Sequence, residues 1–584
     1  MSDADIKSRL TVTTRTIGKD YYDQVLALSA HVVNEGWEQL TEAYTELQRI
    51  DFDDEDVGSL HAELLPCRIA FDGTNRAGIR VFYQIRFKSG TLQNPSGRLT
   101  QDLANWVLTV SVRVGEQPGS ELTEEQKKYI DDNFSVPGDY SIARLYADLT
   151  DARWDTIVTD RSYFGLDSEG KPITWDKWCE DNGVLKVKLI DFLTLWVDMM
   201  RRNGYTTLGV KVVIPSLPDQ NPLDPTFPPT ALLHQGFKYQ NNDTPDDVAR
   251  DYDCMMYCEQ LMDHDPPQAS FIADGGNWCY PGAGSNKAVH GTFAISQEIF
   301  FERKNGFIDH IRPFSRLSEI TLENVIIYDD GGTNHFYHIG YNPDHKSAED
   351  DYFRPELDEQ NFQYIWKQTH KNDNGKTRAG GQYVYCMQQS DQQVAVGWQP
   401  GSNTITLTGK TTYSYKSQWW ANSDKQDLTG YIDESYTATW DVPIVITTDD
   451  DGRLTLALGK DPSDVKVTIN KDHSNELNIA SRQNTIEGYM GEIQGSLQSE
   501  LTAVGENLAK IFDTTGQWVY PGNGTLSFHN PLFNNHSDVL AEVEYKTIPS
   551  KSRVQVPPAT AAPTLNKYPT AVPNKKSFST SPVA

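Results

Sequence analysis

Residues 26–35 read LALSAHVVNE and residues 293–302 read FAISQEIFFE. Each opens on a short apolar run, passes through a serine (Ser29, Ser296) and continues as an amphipathic segment. An apolar run too short for a helix predicts a buried strand. A serine directly after it predicts an N-cap, because its hydroxyl accepts from the free amides of a first helical turn. After Ser29, Val33, Trp37, Leu40, Tyr44 and Leu47 recur at three- and four-residue spacing, which marks one helical face.

A second pair lies downstream of each. Residues 276–284 read GNWCYPGAG and residues 516–524 read GQWVYPGNG, with Trp278 matching Trp518 and Tyr280-Pro281-Gly282 matching Tyr520-Pro521-Gly522. One aromatic-Pro-Gly segment is ordinary turn chemistry. Two matches in the same order argue for an internal duplication, with a boundary near Ser285. The sequence therefore predicts an N-terminal extension over 1–20, one half over 21–285, a related half over 286–550 and a tail over 551–584. The tail is rich in Pro, Ala, Ser and Thr, without apolar periodicity, and is expected to be disordered.

Working outward, most of the chain reads as long strands. In GIRVFYQIRFK at 78–88, Ile79, Val81, Tyr83, Ile85 and Phe87 share one face, opposite Arg80, Gln84, Arg86 and Lys88. Trp106, Leu108, Val110, Val112 and Val114 repeat that alternation, as half-buried strands do. Segments 436–446 and 453–458 flank Asp451-Gly452, which predicts a hairpin.

Three helices are signed. Thr244-Pro245-Asp246-Asp247 is a cap, a first-turn proline and two acids, followed by Val248, Tyr252, Met255 and Met256 at helical spacing. Segment 184–203 ends on Arg201, Arg202 and then Gly204. The longest, 485–512, begins with Asn484 and Glu487 as a capping box. It carries Ile486, Met490, Ile493, Leu497, Leu501, Val504, Leu508 and Ile511 along roughly 40 Å. Gly488, Gly491, Gly495 and Gly505 each weaken it by about 1 kcal/mol relative to Ala, which is tolerable where a sheet packs closely against them.

Composition excludes several functions. With 81 acidic and 52 basic side chains among 584 residues, the formal charge is −29. The tail holds Lys551, Arg553, Lys567, Lys575 and Lys576 and no acid, which leaves −34 on residues 1–550. That field opposes nucleic acid and anionic membrane surfaces. An aromatic content of 11% excludes disorder of the whole. The cysteines, Cys67, Cys179, Cys254, Cys258, Cys279 and Cys386, are too few for a disulfide framework. No apolar leader opens the chain and no run approaches a membrane span. The expectation is a soluble cytoplasmic protein with reduced thiols, non-classical release remaining open. The sequons at Asn133, Asn242, Asn523 and Asn535 are then coincidental.

A strand, a capped amphipathic helix and long antiparallel strands, twice over, look like the tubular lipid-binding (TULIP-like) superfamily. Within it the chain is similar to accessory proteins encoded in neurotoxin gene clusters and to their bacterial and fungal relatives. The resemblance is carried by ALSAHVV at 27–33, AISQEIFFE at 294–302 and WVYPGNGTLSFHNPLFNNHSDVLAEVEY at 518–545. It implies an α+β fold of two halves, each a long curved antiparallel sheet wrapped around a long helix with an apolar seam between. It also implies no enzymatic chemistry and no cofactor: members carry or sense lipids, or serve toxin-type assemblies.

The chemical motifs read as structural. Cys254 and Cys258 sit four apart on a predicted helix without further zinc ligands, so they read as core thiols. His335 and His338 face opposite sides of a strand. Gly375-Lys376-Thr377 and Gly409-Lys410-Thr411 lack the upstream glycine of a phosphate loop and read as turns. Asp449-Asp450-Asp451-Gly452 lacks the downstream Glu of a calcium loop, with Leu458 in its place. That run, and Asp51, Asp53, Asp54, Glu55 and Asp56, leave calcium open. Trp419 and Trp420 stack on sugars if exposed and pack in the core otherwise. No catalytic, metal or ligand-binding residue is nominated.

Three functions fit these features. The first is a binding protein that holds a lipid or other apolar molecule, or an accessory component of a toxin-type assembly with a protein partner. The second is a β-rich interaction protein with no small ligand. The third is a glycan-acting enzyme, whose carboxylates the sequence does not single out.

Overall fold

The alternation that marks 78–88 and 106–114 as strands runs through most of the chain, and the computed structural model is an α+β fold dominated by curled antiparallel sheets. It describes residues 7–546 apart from a set of internal stretches, the longer being 72–79, 134–140, 214–230, 324–337, 342–352, 421–427 and 509–518. The described residues lie in one compact unit. The expected boundary at Ser285, the Asp449–Gly452 turn, His335 and the tail lie outside the described residues.

In chain order the strands are β1 (Gln24–Ser29), β2 (Arg49–Asp54), β3 (Gly58–Phe71), β4 (Arg80–Gln93), β5 (Thr100–Asp102), β6 (Val107–Pro118), β7 (Ser141–Asp148), β8 (Thr207–Val213), β9 (Ala231–Phe237), β10 (Cys254–Gln260) and β11 (Gly291–Ile295). They continue as β12 (Ile320–Glu323), β13 (His338–Tyr341), β14 (Arg354–Leu357), β15 (Phe362–Ala379), β16 (Gln382–Trp398), β17 (Thr404–Trp420), β18 (Leu428–Thr448), β19 (Leu454–Leu458), β20 (Thr468–Asn475), β21 (Val519–Tyr520), β22 (Gly524–Phe533) and β23 (Val539–Lys546). The helices are α1 (Ala30–Ala43), α2 (Glu124–Asn133), α3 (Trp175–Asp181), α4 (Gly183–Arg202), α5 (Asp246–Asp251), α6 (Phe307–Ile311) and α7 (Ala480–Leu508).

A fourteen-stranded sheet runs β2-β3-β4-β6-β7-β8-β21-β22-β23-β11-β1-β10-β9, with β5 beside β4. A seven-stranded sheet runs β14-β15-β16-β17-β18-β19, with β20 on β18, and β12 pairs β13. Val81, Tyr83, Ile85, Phe87, Leu108, Val110 and Val112 are buried, as their alternation predicts. α4 lays Leu185, Leu189, Phe192, Leu193, Trp196, Val197 and Met200 on that core. It ends where expected: Gly204 takes φ +83° and Tyr205 N donates to Met200 O at 3.0 Å, a left-handed cap that a side chain would strain.

The two quoted strands lie side by side. β1 and β11 are antiparallel, with Leu26 opposite Phe293. Ser29 N donates to His290 O at 2.9 Å and Ser296 N to Asp23 O at 3.0 Å. Both serines act as caps: Val32 N reaches Ser29 Oγ at 3.5 Å, and Ile299 N reaches Ser296 Oγ at 3.2 Å. The turns that they cap differ. Ser29 launches α1, whereas Ser296 launches one π-helical turn, Glu298–Glu302.

The segment expected as an N-terminal extension straps this seam. Arg9 pairs with Glu542 at 2.8 Å and Arg15 with Glu298 at 2.5 Å. Thr14 N donates to Asp538, which also accepts from Gln297 N and Asn534 Nδ2. Burial raises the Asp538 pKa against those hydrogen bonds.

Four expectations are corrected. The helix begun at Thr244 stops at Asp251, and Met255 and Met256 lie on β10. β10 is buried on both faces between β1 and β9. An unbroken apolar run of that kind matches helical spacing as well as strand spacing. α7 starts at Ala480, so Asn484 lies inside it; a capping box is a local signal that helix-forming residues upstream override. A Cβ at Gly488, Gly491 or Gly495 meets nothing within 4 Å, and at Gly505 it stays 3.4 Å from Leu458. Gly488, Gly491 and Gly495 are exposed, away from the buried stripe of Ile493, Leu497, Leu501, Val504 and Leu508, so they neither admit a close sheet nor line a tube, whereas Gly505 is half-buried against Leu458 of β19. Finally, the aromatic-Pro-Gly segments occupy unlike places. Tyr280 follows β10 and bridges Val289, whereas Val519–Tyr520 precede β22 and pair with β8.

Asp253 gives this core a pH dependence. Its Oδ1 accepts from Tyr239 N at 3.0 Å, and burial pushes its pKa up to about 6 from an ordinary 3.8. A raised carboxyl contributes stability that is complete below about pH 4 and lost as pH rises through 6. The Asp253→Asn variant keeps the acceptor and has no charge to bury. Relative to the parent it should gain about 3 kcal/mol between pH 4 and pH 7, read by urea denaturation. A difference constant with pH would contradict the assignment.

Candidate functional site

The inner face of the seven-stranded sheet changes character along its strands. β15 to β18 are long, and β18, at 21 residues, spans roughly 70 Å. Register sorts their inward side chains into rungs. Trp398, Ile405 and Ile444 form the first, and Tyr364, Val396, Leu407 and Val442 the second. Trp366, Val394, Gly409 and Trp440 form the third. The next three are Gln368, Gln392, Thr411 and Ala438; then His370, Ser390, Tyr413 and Tyr436; then Gln388, Tyr415 and Glu434.

Three apolar rungs thus give way to three polar ones on one buried surface. Gln388, Ser390, Gln392, Thr411, Tyr413, Tyr415, Glu434 and Tyr436 are all buried. The apolar base is closed by the π turn after Ser296. Its Phe301 stacks on Trp398 at 4.4 Å beside Phe307 and Phe533, and Phe314 lies 6.4 Å from Trp440. At the margin Tyr364 Oη donates to Glu302 at 2.6 Å, and Gln297 Nε2 donates to Tyr364 Oη at 2.7 Å.

Gly409 sets the third rung. A Cβ there would lie 2.0 Å from the Trp440 ring, so only glycine lets the indole lie flat across β17. Gly409-Lys410-Thr411 and Gly375-Lys376-Thr377, expected as turns, are strand residues of β17 and β15. For the first the glycine serves an aromatic neighbour rather than a bend.

The other nominated groups lie apart. Cys254 and Cys258 share one face of β10 rather than a helix, in a core with Cys279. All three are free thiols, and burial raises those of Cys254 and Cys258. Gln235 Nε2 lies 2.9 Å from Cys258 Sγ. His338 opens β13, and Trp419 and Trp420 end β17, their side chains outside the described residues. Asp51 and Asp53 flank His61 of β3, with Nδ1 2.5 Å from Asp51 and Nε2 3.2 Å from Asp53. Asp54 Oδ1 accepts from Asp56 N and Val57 N at 2.8 Å. The cluster is exposed, and the hydrogen bond to Asp51 raises the His61 pKa.

Sequence reasoning missed the polar rungs. Their signal is the run Gln388-Gln389-Ser390-Asp391-Gln392-Gln393, polar at every position. It lacks the alternation that advertises a half-buried strand.

Two results test these assignments. Gly409→Ala should lower unfolding stability by about 1–3 kcal/mol through overpacking, and an unchanged urea midpoint would contradict the third rung. Millimolar calcium should leave the thermal midpoint unmoved, while Asp51→Asn should lower the His61 pKa in an NMR titration. A calcium-induced rise lost in Asp51→Asn would instead make the cluster a metal site.

No protein-family profile and no curated protein matches the sequence. Solved structures do match. P47 from Clostridium botulinum A2 is 10% identical with a TM-score of 0.41, covering 92% of this chain and 99% of that one. P47 of Clostridium botulinum E1 is 11% identical with a TM-score of 0.38, covering 90% and 99%. A lipopolysaccharide binding protein is 10% identical with a TM-score of 0.25, covering 90% and 99%.

Proposed function

We propose that this chain is a non-enzymatic binding protein that holds an amphiphile against the inner face of its seven-stranded sheet. One observation carries the reading: that face passes from apolar through Trp366 and Trp440 to a buried surface of amides, hydroxyls and phenols. A molecule with an apolar and a polar end complements such a gradient, each buried methylene contributing about 0.8 kcal/mol. A hydrocarbon would leave the polar groups of those rungs unpaired.

The duplicated architecture belongs to this proposal. Two halves related by a local twofold axis at the Leu26–Phe293 pair account for three observations. The 267-residue offset of the matched sequences equals the offset of the paired residues. Both serines cap, and both donate to the other strand's preceding residue. The halves then diverge in use, α1 and α4 filling the first and a π turn capping the base of the second.

Titration of the full-length protein with a fluorescent fatty-acid probe tests the reading. Saturable binding at one probe per chain is expected, with energy transfer from tryptophan. Ala438→Phe, which fills the fourth rung, should weaken it at least tenfold. No saturable binding by the intact chain would overturn the proposal.

A further inference from the structure

The polar rungs hold two buried groups whose hydrogen-bonding capacity is unused. Gln388 is 1% exposed and its carbonyl accepts from Tyr413 Oη at 3.2 Å, yet its Nε2 has no partner. Gln392 is 4% exposed and its Nε2 donates to Ser390 Oγ at 3.3 Å, yet its Oε1 has no partner. A buried amide atom without a partner costs on the order of 1–3 kcal/mol, and native cores keep few of them. Here two lie on one strand and one face, an unused donor and an unused acceptor bracketing Ser390.

We infer that these rungs form a subsite for an uncharged, hydroxyl-rich head group, a sugar of one or two rings. The inference rests on the amphiphile reading above and adds the class of head group to it. A hydroxyl both donates and accepts, so a polyol can complete Gln388 Nε2 with one oxygen and Gln392 Oε1 with another. Tyr413, Tyr415 and Tyr436 supply apolar ring surface to the same rungs, suited to the C–H faces of a sugar. The two glutamines are four residues apart along β16, roughly 13 Å, more than one hydroxyl can span and within reach of a short saccharide.

The same inventory argues against a phosphate. Phosphates are bound by Arg forks, Lys or helix N-terminal amides. Among the described residues, the buried polar groups of these rungs are amides, hydroxyls, phenols and the Glu434 carboxyl. His370, half-buried, stands toward one edge and Lys471, exposed on β20 opposite Tyr436, at the other.

Three probes sharing one acyl chain decide the matter on the full-length protein: a monoacyl glucoside, the free fatty acid and a lysophosphatidic acid. The glucoside should bind at least tenfold more tightly than the other two. Gln388→Met should bring it to within about threefold of the fatty acid while fatty-acid affinity stays unchanged. Gln392→Met serves as a second variant, and near-ultraviolet circular dichroism checks that each is folded. Equal affinity for all three probes, or preference for the phosphate, would overturn the head-group inference and leave the amphiphile reading standing. A folded Gln388→Met and Gln392→Met that both retain the glucoside preference would overturn it too. No binding of any probe would overturn both.

Discussion

The pairing of β1 with β11 is the contact on which the rest of the molecule depends. Five residue pairs, from Gln24–Ile295 to Leu28–Gly291, join segments 267 residues apart. β10 and β9 extend the sheet on one side of that pair, and β23 and β22 on the other. The last step of each strand sets a helix start, so α1 and the π turn leave the seam at positions fixed by Ser29 and Ser296. The seam strands are buried, and their backbone groups have no water to bond, so each depends on its neighbour in register. The strap of Arg9, Thr14 and Arg15 then closes over it through Glu542, Asp538 and Glu298.

From that seam the two sides are filled differently. On the first, α1 packs on β3 and α4 lays aromatic and aliphatic side chains on β3 and β4. On the second, the π turn supplies Phe300 and Phe301 to the base of the seven-stranded sheet, and the strands run on past that plug. Strands that long keep an inward face beyond the reach of the aromatic base. The chain furnishes it with glutamine, serine, threonine and tyrosine, which is why polarity rises with distance from the seam.

Much of this was legible in the sequence where one physical signal acted alone. Val81 to Phe87 alternate because one face of β4 is buried, and α4 shows its stripe and its Gly204 stop because nothing competes with them. Reading failed where two elements give one pattern. β10, sandwiched between β1 and β9, has no polar face and passes for a helix. Gly409 looks like a turn because its function is set by Trp440, a residue 31 positions away that only register brings beside it. The polar rungs escaped for the same reason: Gln388 to Gln393 are polar on both faces, and only the pairing of β16 with β17 shows which of them are buried. The matched serines exposed the seam, whereas the aromatic-Pro-Gly match proved to join unlike places.

The central claim is that the graded inner face of the second sheet holds an amphiphile. The most direct measurement is native mass spectrometry of the full-length protein purified without detergent, followed by solvent extraction and mass spectrometry of the released material. The account predicts a bound amphiphile at about one per chain, its mass adduct lost on extraction. A chain that flies at its bare mass, yields no amphiphile on extraction and stays bare after incubation with single-chain lipids would contradict it.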